Sequence, residues 1–504
     1  MDRPRLPLGS YYQLLYKLEL LVDKTTPFPG DLTHVITAVT CDSRSAVPGC
    51  LFICKGAAFK EEYLAEAIRR GAVAYVSEKV YDQPAPCLQV TNIRMAMGVL
   101  ADHAWGHPSG RLTVIGITGT KGKTTAAWFL KAILDHWRQR QGKPPVGLLS
   151  TILIDDGVER RPAALTTPEP LDLQRHLFNA ANAGCEYVVM EVSSQALKYG
   201  RMIGVELAVA AFLNIGEDHI SPAEHPTWTD YFSSKLRIFN HARSAVINLD
   251  GEKEQVDRIL ENAKYCERVV TYSSAFPNVL HADLSAQAIS PIEGGQAFAA
   301  AYEGEGEPFA LSMGGDFNVS NALAAMGVCR ILGVPGNDVR AGLFAASIPG
   351  RMETYVNQEK TVIVDYAHNG MALTALLQGV RKEHPGTPIT LVFGCTGDKA
   401  LDRREGMGRA AGEYADTILL TEDDPGHEMV EDICAQIESY VNLYGKSCTI
   451  IPNREEAIRR AIEEAPRGAV VVLAGKGAEQ AQKRANGPEP CVPDGMLAKK
   501  YLGL

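Results

Sequence analysis

The chain of 504 residues has no apolar stretch of the roughly 18–20 residues that are needed to span a bilayer. Residues 1–16 also lack the apolar core of a secretory signal. We therefore expect no membrane insertion and a location in the cytoplasm, where thiols stay reduced.

Cysteine is present but is not arranged for disulfide or metal chemistry. The eleven cysteines are scattered along the chain. Cys50 and Cys54 could form half of a metal site, but no second pair stands at a suitable spacing. We therefore expect buried free thiols rather than zinc ligands or disulfides.

The sequence also lacks the basic excess of a general nucleic-acid binder. It has 50 lysines and arginines against 60 aspartates and glutamates, which gives a formal net charge of −10. No nucleic-acid partner is expected, although a local basic cluster can still bind an anionic substrate. The hydrophobic content of 46% and charged content of 22% are typical of a globular enzyme, and the length predicts three domains.

A glycine-rich segment between a predicted strand and a predicted helix is the most informative feature. It follows an apolar run at 112–115, precedes a helical pattern at 126–134, and reads Gly119, Thr120, Lys121, Gly122, Lys123, Thr124, Thr125. This is the arrangement of a phosphate-binding loop. Backbone N–H groups and the helix N-terminus would face the phosphates, Lys123 would add a positive charge, and Thr124 would bind Mg²⁺. The segment predicts ATP or GTP binding; the alternative is a glycine-rich turn with an exposed lysine.

Short apolar runs alternate with helical patterns through most of the chain and predict parallel α/β sheets. A polar, glycine-rich region at 282–312 is expected to form a small antiparallel addition. A linker at 106–110 and a junction near 349–351 give predicted domains of 1–108, 109–347 and 348–504. The predicted strands after the phosphate loop lie at 187–192, 207–213, 245–249, 269–272, 361–364, 389–393, 417–420 and 469–473.

Two predicted strands of the central part end in side chains that suit metal binding. Glu191 stands where a strand leaves the sheet, as a Mg²⁺ ligand should. His219 follows the next strand and could bind metal or phosphate. The alternatives are an acid that faces solvent and a structural histidine.

Lys235 lies among apolar and aromatic residues in a helical pattern at 230–239. Such surroundings can lower the pKa of a lysine. The amine could then react with CO₂ to form a carbamate, which would replace a cation by a carboxylate-like metal ligand. The alternative is a lysine that reaches solvent from an amphipathic helix.

A further set of polar residues lies near the last predicted domain junction. Asn318 and Asn321 fall on one face of a predicted helix, and asparagine can recognise adenine with a paired donor and acceptor. Arg351 suits a γ-phosphate clamp, and Asp365 suits a ribose contact. Turn or capping roles explain each of these residues equally well when it is taken alone.

In this order, the motifs resemble those of the Mur ligase family over essentially the full length of the chain. Seven ordered motifs form a highly specific match. They are the phosphate loop, Glu191-Val192-Ser193-Ser194, Asp218-His219, Tyr231-Phe232 followed by Lys235, Asn318 to Asn321, Pro349-Gly350-Arg351 and Asp365-Tyr366-Ala367-His368.

Two other segments narrow the resemblance to the member that adds the third residue of the peptidoglycan stem peptide. Asp42-Ser43-Arg44 is similar to part of its UDP-binding domain, and Thr166-Thr167-Pro168 is similar to its substrate loop. The resemblance implies an α/β protein of three domains. These are an N-terminal UDP-binding α/β domain, a central ATP-binding domain with a phosphate loop and a mainly parallel sheet, and a C-terminal, amino-acid-binding Rossmann-like domain.

The resemblance also implies an activity, that of an ATP-dependent ligase of peptidoglycan synthesis. ATP and Mg²⁺ would be its cofactors, and UDP-N-acetylmuramoyl-L-Ala-D-Glu and a diamino acid would be its substrates. The D-glutamate carboxylate would take the γ-phosphoryl group of ATP, and the amine would then attack the acyl phosphate. We expect a monomer.

Roles for particular residues follow from the resemblance. The implied catalytic residues are Lys123, Glu191, His219, Lys235 and Arg351. The implied metal ligands are Thr124, Glu191, His219 and carbamylated Lys235. The implied ATP-binding residues are Gly119, Thr120, Lys121, Gly122, Lys123, Thr124, Thr125, Asn318, Asn321, Arg351, Asp365 and His368. The implied contacts to the UDP-muramoyl peptide are Ser43, Thr166, Thr167, Ser193 and Arg201.

The last predicted domain is expected to select the amino acid, and Arg404 is predicted to bind its α-carboxylate. Residues 423–426 read Asp-Asp-Pro-Gly where diaminopimelate-adding members carry Asp-Asn-Pro-Arg. Gly426 therefore replaces the arginine that would bind a second carboxylate, and Asp424 suits an ammonium group. Gly475 and Glu479 complete the predicted site. These residues favour L-lysine.

Several alternatives stay open at this stage. L-Ornithine would satisfy the same charges, and meso-diaminopimelate would fit if Arg403 or another residue replaced the missing arginine. A folylpolyglutamate synthetase-like ligase is disfavoured, because such ligases lack a UDP-binding first domain. A nucleotide-binding regulator without ligase activity is disfavoured by the complete motif set, which includes Lys235.

Overall fold

The computed structural model describes residues 3–25, 27–56, 59–217, 220–221, 224–275, 281–292, 294–304, 306–398 and 401–504. These residues form two compact units. The first unit consists of described residues within 1–272 and 324–334, and the second consists of those within 273–323 and 335–504.

The first unit begins with a small parallel sheet of strand order β1-β2-β3-β4. Apolar side chains from its helices and strands, among them Tyr11, Leu51, Val76 and Leu100, form one core. Cys50 and Cys54 are buried free thiols, as predicted. The elements are α1 (Leu8–Lys17), β1 (Val39–Thr40), β2 (Leu51–Ile53), α2 (Glu61–Arg69), β3 (Ala74–Ser77), β4 (Cys87–Gln89) and α3 (Ile93–Ala104).

A larger sheet follows in the same unit, with strand order β12-β11-β10-β5-β9-β6-β7-β8. Its strands pair in parallel except at β7 and β8, which add an antiparallel edge. The elements are β5 (Thr113–Thr118), α4 (Lys123–Arg140), β6 (Gly147–Leu149), β7 (Leu153–Asp155), β8 (Arg160–Pro162), α5 (Pro170–Ala183), β9 (Tyr187–Glu191), α6 (Ser194–Lys198), β10 (Leu207–Phe212), α7 (Trp228–Leu236), β11 (Ala242–Asn248), α8 (Lys253–Ala263) and β12 (Arg268–Ser273).

The second unit starts with three antiparallel strands, which confirms the antiparallel addition that was predicted for 282–312. Two helices follow them along the chain. These elements are β13 (Leu284–Ile292), β14 (Gly295–Ala300), β15 (Glu307–Leu311), α9 (Asp316–Leu332), of which the last part belongs to the first unit, and α10 (Gly336–Ala345).

A second parallel sheet, of strand order β16-β17-β21-β18-β19-β20, forms the rest of this unit. Its pairs are parallel except β16 with β17, and a separate hairpin follows. The elements are β16 (Glu353–Val356), β17 (Thr361–Asp365), α11 (Gly370–Glu383), β18 (Ile389–Phe393), α12 (Asp402–Tyr414), β19 (Thr417–Leu420), α13 (Val430–Val441), β20 (Thr449–Ile450), α14 (Arg454–Glu464), β21 (Val470–Ala474), β22 (Ala481–Arg484), β23 (Gly487–Pro490) and α15 (Asp494–Leu502).

The α/β class with mainly parallel sheets is confirmed. The interior strands β9, β18 and β21 are buried along their whole length, as expected for parallel strands that helices cover on both faces. None of the described helices has the length and hydrophobicity that a membrane crossing requires. The domain boundaries after residues 108 and 347 stay predictions.

A buried ion pair joins three elements of the second parallel sheet. Arg454, the first residue of α14, donates to both carboxylate oxygens of Asp494, at 2.8 and 2.6 Å. It also donates to the carbonyl of Ala474 at the end of β21, at 2.9 Å. Because both charged side chains are buried, each depends on the other for compensation.

Replacement of Arg454 by Met should leave the Asp494 carboxylate buried without its partner. We expect the free energy of unfolding of the second unit to fall by about 3–5 kcal/mol, measured by scanning calorimetry. The control is Arg460→Met, which removes an ion pair on the exposed face of the same helix and should leave the transition nearly unchanged. Equal effects of the two variants would contradict the prediction.

Candidate functional site

The phosphate loop has the geometry that the sequence predicts. Strand β5 ends at Thr118, residues 119–122 turn, and α4 begins at Lys123. Gly122 adopts a φ of +83°, a conformation that favours glycine. The Lys123 ammonium donates to the carbonyls of Gly119 and Thr120, at 2.9 and 3.2 Å. The lysine therefore stays over the loop rather than extending into solvent.

Side chains from outside the loop hold it in place. The Asn214 side chain accepts from the Lys121 N–H at 2.9 Å and donates to the Lys121 carbonyl at 3.1 Å. The Thr120 and Tyr231 hydroxyls lie 3.1 Å apart. The last residue of the motif, Thr125, is buried in the first turn of α4. Asn214 follows strand β10, next to β5 in the sheet, so the neighbouring strand fixes the loop.

The structure brings Lys235 to this loop. Its side chain is 1% exposed, so the solvent-reaching alternative is wrong. Its Nζ donates to the Gly119 carbonyl at 2.8 Å and lies 4.8 Å from the centre of the Tyr231 ring. Lys123 and Lys235 therefore converge on one carbonyl oxygen. Asp218 and the predicted ligand His219 lie outside the described residues.

The Glu191 carboxylate lies beside the start of α4. It is 1% exposed, so the solvent-facing alternative is wrong. It accepts from the Thr124 hydroxyl at 2.9 and 3.0 Å and from the Thr151 N–H at 2.8 Å. Thr151 has no role in the sequence prediction, although its place just after β6 was a signal. A hydroxyl and a carboxylate in one buried spot provide the oxygen ligands that Mg²⁺ prefers.

Four residues that were predicted to bind the muramoyl peptide form one group next to Glu191. The hydroxyls of Thr166 and Thr151 lie 3.2 Å apart. The Thr167 hydroxyl donates to the Glu191 carbonyl at 2.9 Å and accepts from the Ser193 N–H at 3.0 Å. Arg201 donates to the Thr167 carbonyl at 3.1 Å. Two of the predicted metal ligands, Thr124 and Glu191, thus form one hydrogen-bonded network with these four residues.

Glu169 connects this network to the first sheet. It forms ion pairs with Arg201 and with Lys55, a residue that follows β2. The predicted uridine contact, Ser43, is buried at the start of a short 3₁₀ helix, Ser43–Ser45, that the Asp42 side chain caps. The sequence reasoning missed Lys55 and Glu169, because their pairing joins distant segments of the chain.

A further chain of contacts supports Ser194. The His225 ring lies between the Ser194 hydroxyl, at 2.9 Å, and the Asp230 carboxylate, at 2.7 Å. Lys198 also donates to Asp230, at 2.7 Å. Because His225 is fully buried, we interpret this serine–histidine–aspartate set as a brace for the end of β9 and not as a nucleophilic triad.

The asparagines that were predicted to recognise adenine are buried at the start of α9. Asn318 donates to the Gly314 carbonyl at 2.6 Å, and Asn321 donates to the Asn318 side chain at 3.3 Å. These contacts stabilise the turn into the helix. The adenine contact stays a prediction.

The predicted phosphate and ribose residues lie around Tyr366. The Asp365 carboxylate accepts from the N–H groups of Met352 and Ala367, at 2.9 and 2.8 Å, and burial raises its pKa. The Arg351 guanidinium lies over the Tyr366 ring, 4.2 Å from its centre. His368 Nδ1 lies 2.8 Å from the Tyr366 carbonyl. Arg351, Asp365 and His368 are thus grouped around Tyr366, and the nucleotide contacts of these three residues stay predictions.

The predicted amino-acid residues follow the carboxyl ends of three adjacent parallel strands, β21, β18 and β19. Arg404 is buried, and its guanidinium donates to both oxygens of Glu428, at 2.8 and 2.9 Å, and to Gln436 at 2.7 Å. The bond from Arg404 keeps the pKa of Glu428 below its usual value. The sequence reasoning missed Glu428, which an α-carboxylate would have to replace or share.

The predicted ammonium-binding acids, Asp424 and Glu479, are held by a lysine of the chain itself. Buried Lys476 donates to Asp424 at 2.7 Å, to Glu479 at 2.6 Å and to the Ala481 carbonyl at 2.7 Å. Burial alone would raise the pKa of Asp424, but the bond from Lys476 lowers it. Lys476 had no role in the sequence prediction.

The pKa of Asp423 is shifted in the opposite direction from that of Asp424. Burial raises the pKa of the Asp423 carboxyl group to about 7, against the opposing influence of Arg454 and Lys476. Gly475, with a φ of +107°, allows close approach here, since a Cβ atom at that position would lie 2.4 Å from Asp423 Oδ2. The glycine predicted as a substrate residue therefore also makes room for an acid.

Gly426 could not become an arginine without strain. Its φ is +61°, and a Cβ atom there would lie 2.0 Å from the Asp398 carboxylate. The absence of the second-carboxylate arginine is therefore built into the backbone of this loop.

Comparisons with known proteins agree with this geometry. The protein-family model of the Mur ligase middle domain matches residues 117–329. The family model of the Mur ligase glutamate ligase domain matches residues 350–477. The chain is 39% identical over 501 residues to the UDP-N-acetylmuramoyl-L-alanyl-D-glutamate–L-lysine ligase of Enterococcus faecalis, with 97% of each chain covered. It is 37% identical over 473 residues to the ligase of the same name from Streptococcus sanguinis, with 92% of each chain covered.

Two solved structures share the fold. A UDP-N-acetylmuramoyl-L-alanyl-D-glutamate–2,6-diaminopimelate ligase gives a TM-score of 0.65 at 24% identity and covers 99% of both chains. A folylpolyglutamate synthase of Mycobacterium tuberculosis gives a TM-score of 0.61 at 18% identity, with 81% of this chain and 95% of that chain covered. The parallel α/β sheets and the turn between β5 and α4 place the chain in the class of α/β proteins with a phosphate-binding loop. The chain belongs to the Mur ligase family, so the family predicted from the seven motifs is confirmed.

Replacement of Asp423 by Asn should remove a pH dependence of stability. The pKa of this carboxyl group is about 7 in the folded chain and about 4 in the unfolded chain, so the folded chain binds more protons between these values. The resulting stabilisation is complete below about pH 4 and is lost as the pH rises through about 7. From pH 5 to pH 8 the free energy of unfolding of the wild type should fall by about 2.5 kcal/mol more than that of Asp423→Asn.

Urea unfolding at each pH measures this difference. Asp432→Asn, at an exposed position on α13, is the control and should keep the wild-type slope. The prediction is wrong if the free energy of unfolding of Asp423→Asn also keeps the wild-type slope with pH.

Proposed function

We propose that this chain is an ATP-dependent, Mg²⁺-requiring ligase that adds L-lysine to the D-glutamate carboxylate of UDP-N-acetylmuramoyl-L-Ala-D-Glu in peptidoglycan synthesis. The observation that carries the proposal is the hydrogen-bonded network from Thr124 through Glu191 to Thr166 and Thr167. It connects the phosphate loop to the predicted acceptor residues. The names of the E. faecalis and S. sanguinis relatives supply the acceptor and the amino acid.

The reaction needs positioning and charge compensation more than covalent participation of the protein. A carboxylate is a poor electrophile, so its oxygen first takes the γ-phosphoryl group of ATP, which gives an acyl phosphate and ADP. The lysine α-amine then attacks the acyl carbon, loses a proton and expels inorganic phosphate as the amide forms. Lys123 and Arg351 offset negative charge on the phosphates, and Thr166, Thr167, Ser193 and Arg201 orient the acceptor.

The residues present fit a metal ion beside the phosphate loop. Thr124 and Glu191 provide a hydroxyl and a carboxylate in a buried position. When bound, Mg²⁺ supplies positive charge next to the phosphate oxygens. His219 and carbamylated Lys235 complete the proposed ligand set. The burial of Lys235 and its closeness to Lys123 favour a modification that removes one of two positive charges.

In the proposed function, different residues contact the two nucleosides. Ser43 contacts the uridine of the acceptor. Asn318, Asn321, Asp365 and His368 contact the adenosine of ATP. The proposed enzyme is a cytoplasmic monomer.

The acidic cluster of the second unit supports the choice of amino acid. Arg404 binds the α-carboxylate, and Asp424 and Glu479 with Gly475 surround the side-chain ammonium. Gly426 cannot supply a cation for a second carboxylate, which favours lysine or ornithine over meso-diaminopimelate.

Release of ADP by the purified chain tests the proposal. With ATP, Mg²⁺ and UDP-N-acetylmuramoyl-L-Ala-D-Glu present, we expect L-lysine to stimulate ADP release more than L-ornithine, meso-diaminopimelate or L-glutamate. Preference for meso-diaminopimelate would contradict the assigned amino acid. Activity with a folate acceptor in place of the UDP-muramoyl peptide would support the folylpolyglutamate alternative. ATP binding without stimulation by any amino acid would support a regulator.

Replacement of Lys235 by Ala should lower lysine-dependent ADP release by at least about 100-fold, since it removes a charged group from the reaction site. Acetate or formate should partly restore the activity, because a small carboxylate can enter the space of the carbamate. Lys235→Arg is the matched control; it fills the space and should be inactive with or without the added acid. Full activity of Lys235→Ala would rule out the carbamate role.

A further inference from the structure

Two loops of the second unit pack directly against each other. One contains Gly350 and the predicted phosphate clamp Arg351, and the other contains Gly477 and the predicted amino-acid contact Glu479. A Cβ atom at Gly350 would lie 2.3 Å from the Ala478 nitrogen, and one at Gly477 would lie 2.9 Å from the Gly350 carbonyl. Both glycines have positive φ values, of 67° and 55°. The nucleotide side and the amino-acid side of this unit are thus in backbone contact.

Tyr366 connects the same two loops through its side chain. One face of its ring carries the Arg351 guanidinium, 4.2 Å from the ring centre. Its hydroxyl donates to Glu479 Oε1 at 2.9 Å. Burial raises the pKa of Tyr366, and the charge of Glu479 raises it further, so the phenol stays protonated and keeps donating.

The connection continues beyond Glu479. The other oxygen of that carboxylate accepts from Lys476 at 2.6 Å, and Lys476 donates to Asp424 at 2.7 Å. Each contact holds the next group in place. The Tyr366 ring holds the Arg351 guanidinium, and the Tyr366 hydroxyl holds the Glu479 carboxylate. The buried Lys476 ammonium then holds the Asp424 carboxylate. The path ends at the two acids assigned to the side-chain ammonium of lysine.

We propose that Tyr366 is a positioning residue that couples the binding of ATP to the binding of the amino acid. This inference rests on the proposed function. When Arg351 engages the γ-phosphate, the ring that it covers is held in one orientation, and the hydroxyl then holds Glu479 in the orientation that receives the ammonium group. Coupling of this kind is reciprocal, so lysine also strengthens the binding of ATP.

Calorimetric titration of L-lysine into the full chain, with and without a non-hydrolysable ATP analogue, measures the coupling. Mg²⁺ and UDP-N-acetylmuramoyl-L-Ala-D-Glu are present throughout. In the wild type we expect the analogue to strengthen lysine binding by about fivefold or more. In Tyr366→Phe, which keeps the ring over Arg351 and loses the bond to Glu479, the ratio should fall to within about twofold of one. An unchanged ratio in this variant, or a wild-type ratio of one, would overturn the proposal.

Two further variants separate coupling from a merely structural role. Tyr501→Phe removes another tyrosine–glutamate bond of this unit, the one to Glu455 at 2.7 Å, and should keep the wild-type ratio. Glu479→Ala should also lose the coupling, and Tyr366→Phe should add nothing to it, because both changes break the same hydrogen bond. Additive losses would show that Tyr366 does not act through Glu479.

The wild-type ADP-release assay distinguishes failure of this inference from failure of the proposed function. If no amino acid stimulates ADP release, the function fails and the coupling with it. If lysine stimulates release and Tyr366→Phe keeps the wild-type ratio, the coupling alone is wrong.

Discussion

The shared carbonyl of Gly119 is the contact on which the central site depends. Two ammonium groups, those of Lys123 and Lys235, donate to it from different helices. Like charges this close repel each other, and burial strengthens the repulsion. An anion beside them, or the conversion of one amine into a carbamate, relieves it. A loop that concentrates positive charge suits phosphate, and the Glu191 carboxylate on the neighbouring strand is a proposed metal ligand.

The second unit has the opposite arrangement, since acids are concentrated at the site proposed for a cationic side chain. Lys476 pairs with Asp424 and Glu479, and Lys483 pairs with Asp424, so part of the negative charge of these acids is offset. Burial alone would lower the pKa of Lys476, but Glu479 and Asp423 raise it, so the ammonium persists. Parallel strands make both sites feasible, because they deliver side chains from distant segments to one edge of a sheet.

The sequence predicts the elements that local patterns determine. It does not predict the contacts between residues that are far apart in the chain. The phosphate loop, the strand that ends at Glu191 and the antiparallel strands within 282–312 follow from short-range patterns, and the structure has them. Short-range patterns do not predict the hydrogen-bond partners of these residues. Thr151 bonds to Glu191, and Glu428 bonds to Arg404, although each pair is far apart in the sequence. Lys235 shows the same limit, because its neighbours in sequence allowed a solvent-facing lysine and only packing against the loop decided between the alternatives.

In the proposed function, a preference for a simple ammonium group follows from the sum of charges and not from any single residue. Arg454 pairs with Asp494, and Arg484 pairs with Glu422 and Glu489. Lys476 and Lys483 pair with Asp424 and Glu479. The carboxyl group of Asp423, whose pKa burial raises to about 7, adds a third acid beside them. An incoming lysine side chain neutralises the remaining negative charge and favours the ionised form of Asp423. The far end of meso-diaminopimelate brings an ammonium and a carboxylate together, so it leaves that charge in place and sets a further carboxylate beside the acids. Gly426, in a conformation that disfavours any side chain, offers no cation to compensate it.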